Sequence, residues 1–401
     1  MNPQVSRRAF ITATAAGSIG AASAMRVSGA NDRIRLGIIG TGSRGTYLMR
    51  EANKIGGIDW IAVCDAWDQR RDKAAEITGN PGAAKIADYR RLLERKDIDG
   101  VVVATWDNLH ARISAEACRA GKDVYVEKPM TSLPIQGHEV VKAAREYKRV
   151  VQVGMQQRSM ANFIEAKQKF IDSGLIGKVR MVRTIWNANS GYLTPVPPGM
   201  EKKPEGLDWE ACLGSLPRIP WDPKRYFNRF AYWDLSTGGQ TGGLFVHMVD
   251  VVHWYLNLRK PLAAVAGGGI YQYDDGRDTP DNINLILEYP EKLNVTFEAT
   301  ITDMIAQNSA DIVFMGDGGR LSIFRGGYRF IPAKKSAEAV PLSGGGSPEG
   351  VHVGNWLECM RSRKQPNADP VAGHYSAMAC HIGNIAYKKQ ARVAWQKEWD
   401  L

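Results

Sequence analysis

The stretch Ile34-Arg35-Leu36-Gly37-Ile38-Ile39-Gly40-Thr41-Gly42-Ser43-Arg44-Gly45-Thr46-Tyr47-Leu48-Met49 reads as an apolar strand, a glycine turn and the start of a helix. In a Gly-x-Gly-x-x-Gly turn each glycine has a separate task. Gly40 allows the tight turn, Gly42 lets a pyrophosphate approach the backbone, and Gly45 lets the helix lie close on the strand. The helix N-terminus offers N–H groups to phosphate, which places Thr41, Ser43 and Arg44 in the same expected cradle. A second strand, Asp59-Trp60-Ile61-Ala62-Val63-Cys64, ends at Asp65, the spacing at which a carboxylate accepts hydrogen bonds from the adenosine ribose. The motif therefore predicts a dinucleotide site with NAD favoured. Arg70 and Arg71 follow closely and keep NADP open as the less favoured cofactor.

Further along, Val101-Val102-Val103-Ala104 reads as another parallel strand that ends in Thr105-Trp106-Asp107-Asn108-Leu109-His110, with a helix continuing to Arg119. Ligands of open α/β sheets sit beyond the C-terminal ends of the strands, so this turn is expected to border the cofactor. Asp123-Val124-Tyr125-Val126 then leads into Glu127-Lys128-Pro129, where the fixed φ of Pro129 aims Lys128 from a strand end rather than from a loose loop.

Composition sets the bounds. The chain has 401 residues, 44% hydrophobic and 23% charged, which suits a soluble globular protein of two domains and excludes a disordered or fibrous one. The formal charge of +10 is scattered over stretches such as Arg90 to Lys96, read as solvated helix faces, and no nucleic-acid signature is present. Five widely spaced cysteines, Cys64, Cys118, Cys212, Cys359 and Cys380, read as buried thiols. At the start, Ser6-Arg7-Arg8-Ala9-Phe10-Ile11 precedes a mildly apolar run to Ala24 and resembles a twin-arginine export signal, with Ala22-Ser23-Ala24 as a cleavage site. The run is too short and too weakly apolar for a stable membrane span. The expectation is a periplasmic or exported protein that engages the twin-arginine (Tat) export machinery. Because that route carries folded proteins, a dinucleotide would travel out with the chain.

The glycine turn, Thr105-x-Asp107-x-x-His110, Glu127-Lys128-Pro129 and Gly154-Met155-Gln156-Gln157-Arg158 together resemble the Gfo/Idh/MocA oxidoreductases, in that family's order, from about Ile34 to the C-terminus. The resemblance implies an α/β protein: an N-terminal Rossmann domain followed by an α+β domain with an open, mainly antiparallel sheet. The expected division is a leader over 1–30, a nucleotide-binding domain over 31–155 and a substrate and oligomerisation domain over 156–401. It also implies that Lys128 lies beside the nicotinamide and contacts the reacting hydroxyl, and that the protein is a homodimer or homotetramer acting on a small carbohydrate. Stretches such as Val179 to Trp186 and Leu293 to Glu298 alternate as half-buried strands do. Between them the aromatic-rich segment Trp221 to Asp234 suits a sugar, with Tyr226, Arg229 and Trp233 as candidates beside Arg158, although core packing of the aromatics is an equal reading.

A last segment, Gly242-Gly243-Leu244-Phe245-Val246-His247-Met248-Val249-Asp250-Val251-Val252-His253-Trp254, reads as a glycine turn opening a helix with His247, Asp250 and Trp254 on one face. The resemblance assigns proton transfer to His247. Family members commonly carry an Asp four residues before this histidine, where Gly243 stands here, so Asp250 either orients His247 or belongs to the packing face. No fourth ligand stands at metal spacing from His247, Asp250 and His253, and no metal is expected. The implied activity is NAD(P)-dependent hydride transfer at a hydroxyl of a sugar, cyclitol or related polyol. Two alternatives stay open: an NAD-dependent glycoside hydrolase that oxidises, eliminates, hydrates and reduces in a redox-neutral cycle, and a non-enzymatic sugar-binding protein that keeps NAD. The run Ser343-Gly344-Gly345-Gly346-Ser347-Pro348 reads as a flexible loop.

Overall fold

The computed structural model describes residues 33–189, 191–303, 309–334 and 348–401. The export leader lies outside the described residues, as does the glycine loop except for Pro348, which opens a helix.

Six strands form a parallel sheet: β1 (Ile34–Ile39), β2 (Ile58–Cys64), β3 (Ala84–Ile86), β4 (Gly100–Val103), β5 (Asp123–Val126) and β6 (Val151–Val153), ordered β3-β2-β1-β4-β5-β6. Strands β4 and β5 are buried at every position because helices cover both faces, which is why they read as unbroken apolar runs without alternation. Strand β3 escaped the sequence reading, since Ala84-Lys85-Ile86 is a three-residue edge strand. The strand order reverses between β1 and β4, and that switch point opens a crevice at the strand ends. Helices that flank the sheet include α1 (Ser43–Ile55), α2 (Asp68–Thr78), α3 (Asp107–Arg119) and α4 (Gln136–Glu146). On α1, Leu48, Met49 and Ala52 form a helical stripe in one core with Leu36, Ile38 and Trp60.

The chain then builds β7 (Val179–Asn187), α5 (Val246–Leu256), β8 (Ala263–Gly269), β9 (Asn282–Tyr289), β10 (Leu293–Thr300), β11 (Ser309–Gly316), β12 (Gly319–Phe324) and β13 (Gly327–Pro332), and ends with α6 (Pro348–Ser362), α7 (Pro370–Lys389) and β14 (Val393–Ala394). The second sheet runs β13-β12-β11-β7-β10-β9-β8-β14, antiparallel except for the β7–β10 pair. On β9, Ile283, Leu285 and Leu287 are buried while Asn284 and Ile286 are exposed, the alternation of a sheet with one covered face.

Packing does not follow the division at residue 155. Helix α6, late in the sequence, places Val353, Trp356 and Leu357 in the core of the first sheet, where Trp356 is fully buried. His352 on the same helix bonds Ser159 Oγ at 2.6 Å and the Val153 carbonyl at 2.9 Å, so this segment serves packing.

Candidate active site

The glycine turn is built as its sequence requires. Gly40 has φ +90°, and a Cβ there would lie 2.6 Å from the Ala104 carbonyl, so only glycine lets the turn pass β4. A Cβ on Gly45 would run into the Gly40 carbonyl. Gly42 is different: a Cβ there would meet only Arg70 Nη1, at an ordinary contact distance of 3.6 Å. No side chain caps α1 at Gly42 and its first turn holds no acid, so the positive end of the helix dipole faces the turn.

Asp65 closes this loop. Its Oδ2 accepts from Thr41 N at 2.7 Å and Thr41 Oγ1 at 3.2 Å, and its Oδ1 accepts from Trp67 N at 3.0 Å. A carboxylate has about four acceptor positions, so capacity for a ribose hydroxyl remains. Arg71 donates to the Asp65 carbonyl at 2.7 Å. Arg70 lies against Trp67 and Tyr226, 5.5 and 5.1 Å from their ring centroids.

A cleft of about 630 Å³ runs from this turn to the second sheet domain. Of the anticipated residues, Gly40, Gly42, Ser43, Arg44, Asp65, Thr105, Trp106, Tyr226 and Arg229 line it. The others, Lys128 and His247 among them, lie outside the lining. His110 bridges the carbonyls of Pro129 (2.8 Å) and Thr105 (3.0 Å), tying the ends of β4 and β5 together. Asp107 accepts from Arg229 Nη1 at 3.1 Å and Thr237 N at 3.1 Å, which fastens the second domain to the first. Glu127 accepts from Arg44 Nε at 2.8 Å, and Glu349 of α6 takes Arg44 Nη1 at 3.2 Å. Burial works against the Arg44 charge, but Glu127, Tyr125 and Glu349 together outweigh it and hold the guanidinium above its ordinary value. Glu349 had no signal in the sequence, because it reaches the site only by the packing of α6.

Lys128 donates to the Gly243 carbonyl at 2.6 Å, and Gly243 is on the cleft wall. Gly243 belongs to a π-helical turn, Thr241–Phe245, that precedes α5, where the sequence pattern indicated only a glycine turn. Burial brings Lys128 down to about 8, against the raising effect of Glu127. His247 is buried, stacked on Trp186 with ring centroids 6.4 Å apart, and its Nδ1 has no partner among the described residues. Burial, followed by the Lys128 charge, holds its imidazole well below the usual histidine range.

Three anticipated residues are engaged in other contacts. The Asp250 carboxylate takes both arms of Arg158, at 2.8 and 2.9 Å, and the Ser376 hydroxyl at 2.9 Å, instead of His247. Arg158 is committed to that pair and does not line the cleft. Trp233 also lies outside the lining, with its Nε1 on the Asp278 carbonyl at 2.7 Å and its ring stacked on Tyr387. His253 bonds Tyr289 Oη at 2.6 Å.

This geometry agrees with comparison to known proteins. Residues 34–155 match the Gfo/Idh/MocA model, described as an oxidoreductase family with an NAD-binding Rossmann fold. Inositol 2-dehydrogenase of Salmonella typhimurium is 32% identical over 226 residues, 56% of this chain and 55% of that protein. The inositol 2-dehydrogenase/D-chiro-inositol 3-dehydrogenase of Shouchella clausii is 34% identical over 154 residues, 38% of this chain and 44% of that one. The chain thus spans about half the length of the curated relatives it matches. The likeness in fold reaches further than that segment. A levoglucosan dehydrogenase complexed with NADH and levoglucosan superposes with TM-score 0.71 at 18% identity, covering 90% of this chain and 99% of that one. Aldose-aldose oxidoreductase from Caulobacter crescentus gives TM-score 0.70 at 19% identity, covering 90% and 100%.

Proposed function

We propose that the protein is an NAD(P)-dependent oxidoreductase acting on a hydroxyl of a sugar, cyclitol or related polyol. The observation that carries this reading is Lys128, drawn from the end of β5 onto a carbonyl of the wall shared by the glycine-turn cleft and the second domain. A bound nicotinamide dinucleotide supplies the hydride acceptor. The residues do the rest: Gly40, Gly42 and the N-terminus of α1 receive the pyrophosphate, Asp65 the ribose, Lys128 stabilises the developing alkoxide, and His247, neutral at physiological pH, takes the hydroxyl proton. The inositol dehydrogenase relatives support a polyol substrate.

A redox-neutral glycoside hydrolase that keeps its dinucleotide is the second reading. It is favoured by the excursion between β7 and α5, which is pinned over the strand-end loops: Asp208 N bonds the Ala66 carbonyl at 2.9 Å, Asn108 Nδ2 the Leu213 carbonyl at 2.9 Å, and Trp106 meets Trp209 and Tyr226 edge to face. Such a strap slows dinucleotide exchange. Export through the twin-arginine route, supported by Arg7-Arg8, fits the same retention. A homo-oligomer is supported by the outward face of the second sheet, where register places the exposed apolar residues Met181, Ile286 and Ile331 on one side.

The test is to purify the protein, denature it, identify released dinucleotide by mass spectrometry, and assay the native protein on inositols, free sugars and aryl glycosides. Reduction of NAD by a free polyol, lost in Lys128→Met, supports the oxidoreductase. Cleavage of an aryl glycoside without added cofactor replaces it with the hydrolase, and no turnover with bound NAD leaves a binding protein.

A further inference from the structure

The cations around His247 are not equally matched. Arg44 has Glu127 and Glu349, Arg229 has Asp107, and Lys128 has a neutral carbonyl. Arg325 has neither a hydrogen bond nor an ion pair among the described residues. Its guanidinium carbon lies 5.7 Å from the centroid of the Trp186 ring, and Trp186 is the residue stacked on His247. Arg325 is exposed and held in place: it sits in the β12–β13 turn, whose Phe324 carbonyl accepts from Asn162 Nδ2 at 3.0 Å. The charges that bear on His247 are Lys128, Arg325 and Arg44, all positive.

We propose that the substrate is an anionic sugar, whose carboxylate or phosphate is received by Arg325 while its reacting hydroxyl lies at Lys128 and His247. This rests on the reading of those two residues as the reacting pair. Arg325 feels the Glu349 carboxylate through space but has no direct partner among the described residues; a neutral sugar leaves its planar fork so, whereas an oxyanion gains two parallel charge-assisted hydrogen bonds. The pyrophosphate is accounted for elsewhere, by the glycine turn and α1.

The experiment uses the NAD-loaded protein and matched sugars: hexoses, the corresponding hexuronates, hexose phosphates and inositols. Binding is read by calorimetry and turnover by dinucleotide absorbance. The anionic members are expected to bind about ten- to a hundredfold more tightly than their neutral counterparts, with the preference shrinking as salt is raised. Arg325→Gln is expected to abolish the preference with NAD affinity unchanged, and Arg325→Lys to keep part of it. Preference for hexuronates identifies a carboxylate as the anion, and preference for hexose phosphates a phosphate. Equal binding of neutral and anionic members, or loss of NAD affinity in Arg325→Gln, overturns the proposal. Rapid oxidation of neutral polyols with no anion preference would refute this inference and leave the oxidoreductase standing. Arg325-dependent binding of hexuronates with no dinucleotide reduced by any sugar would do the reverse.

Discussion

The Lys128 ammonium and the Gly243 carbonyl meet at 2.6 Å, so a backbone oxygen of the π-helical turn stands opposite the lysine. A carbonyl orients the ammonium without the full charge of a carboxylate. Glu127 and Asp107 offset the burial of Lys128 only in part, and its proton is held loosely.

Activity should therefore fall as the pH rises through about 8, where Lys128 loses the proton that stabilises the alkoxide. The acid limb should lie well below the usual histidine range, because His247 is already neutral there. Lys128→Met should lower kcat/KM by about a hundred- to ten-thousandfold and erase the alkaline limb, with dinucleotide binding retained. The pH profile of kcat/KM for both proteins checks this. Stability has its own signature. The unfolded chain binds this proton up to 10.5 and the folded one only to about 8, so the contribution is full above 10.5 and lost as the pH falls through 8. That slope should be absent in Lys128→Met.

Asp250→Asn should act on stability, not chemistry. The change breaks a buried two-armed pair with Arg158 and is expected to cost about 3–5 kcal/mol in urea unfolding. Turnover of the folded fraction should stay within about twofold. A hundredfold loss of kcat at unchanged stability would restore Asp250 to the chemistry.

The two glycines of the turn should separate folding from binding. Gly42→Ala has room for its methyl beside Arg70, so the protein should fold normally but lose dinucleotide affinity by about tenfold or more. Gly45→Ala meets the Gly40 carbonyl and should lower the thermal midpoint as well. Calorimetric titration with NAD and a melting curve distinguish the two.

Asn108→Ala should loosen the strap. It removes the bond to the Leu213 carbonyl, and the dinucleotide should dissociate several-fold faster at nearly unchanged kcat. Stopped-flow displacement measures the rate, and an unchanged rate means that the excursion does not hold the cofactor.

Much of this was legible before any coordinates. The first half of the site is local: Gly40, Gly42 and Gly45 are glycines because neighbours a few residues or one strand away leave no space or must leave some, and strand, turn and acid follow at spacings that geometry dictates. The apolar strands β4 and β5 and the alternation of β9 and β10 likewise carry their environments in their patterns. What the pattern does not carry is which distant partner a side chain chooses. His247 and Asp250 share a helix at a spacing that suits cooperation, yet Asp250 turns to Arg158, 92 residues away, because a buried carboxylate must be met by a cation. Trp233 stands in an aromatic segment but leaves the cleft for Asp278, while Glu349 and Arg325 reach the site from helices and hairpins whose place is decided by sheet register and helix docking. Sequence alone determined the nucleotide fold and the identity of Lys128 and His247 as candidates. Only the tertiary structure decided their partners, since long-range pairing depends on how the two sheets and α6 pack, and that is a property of the whole chain.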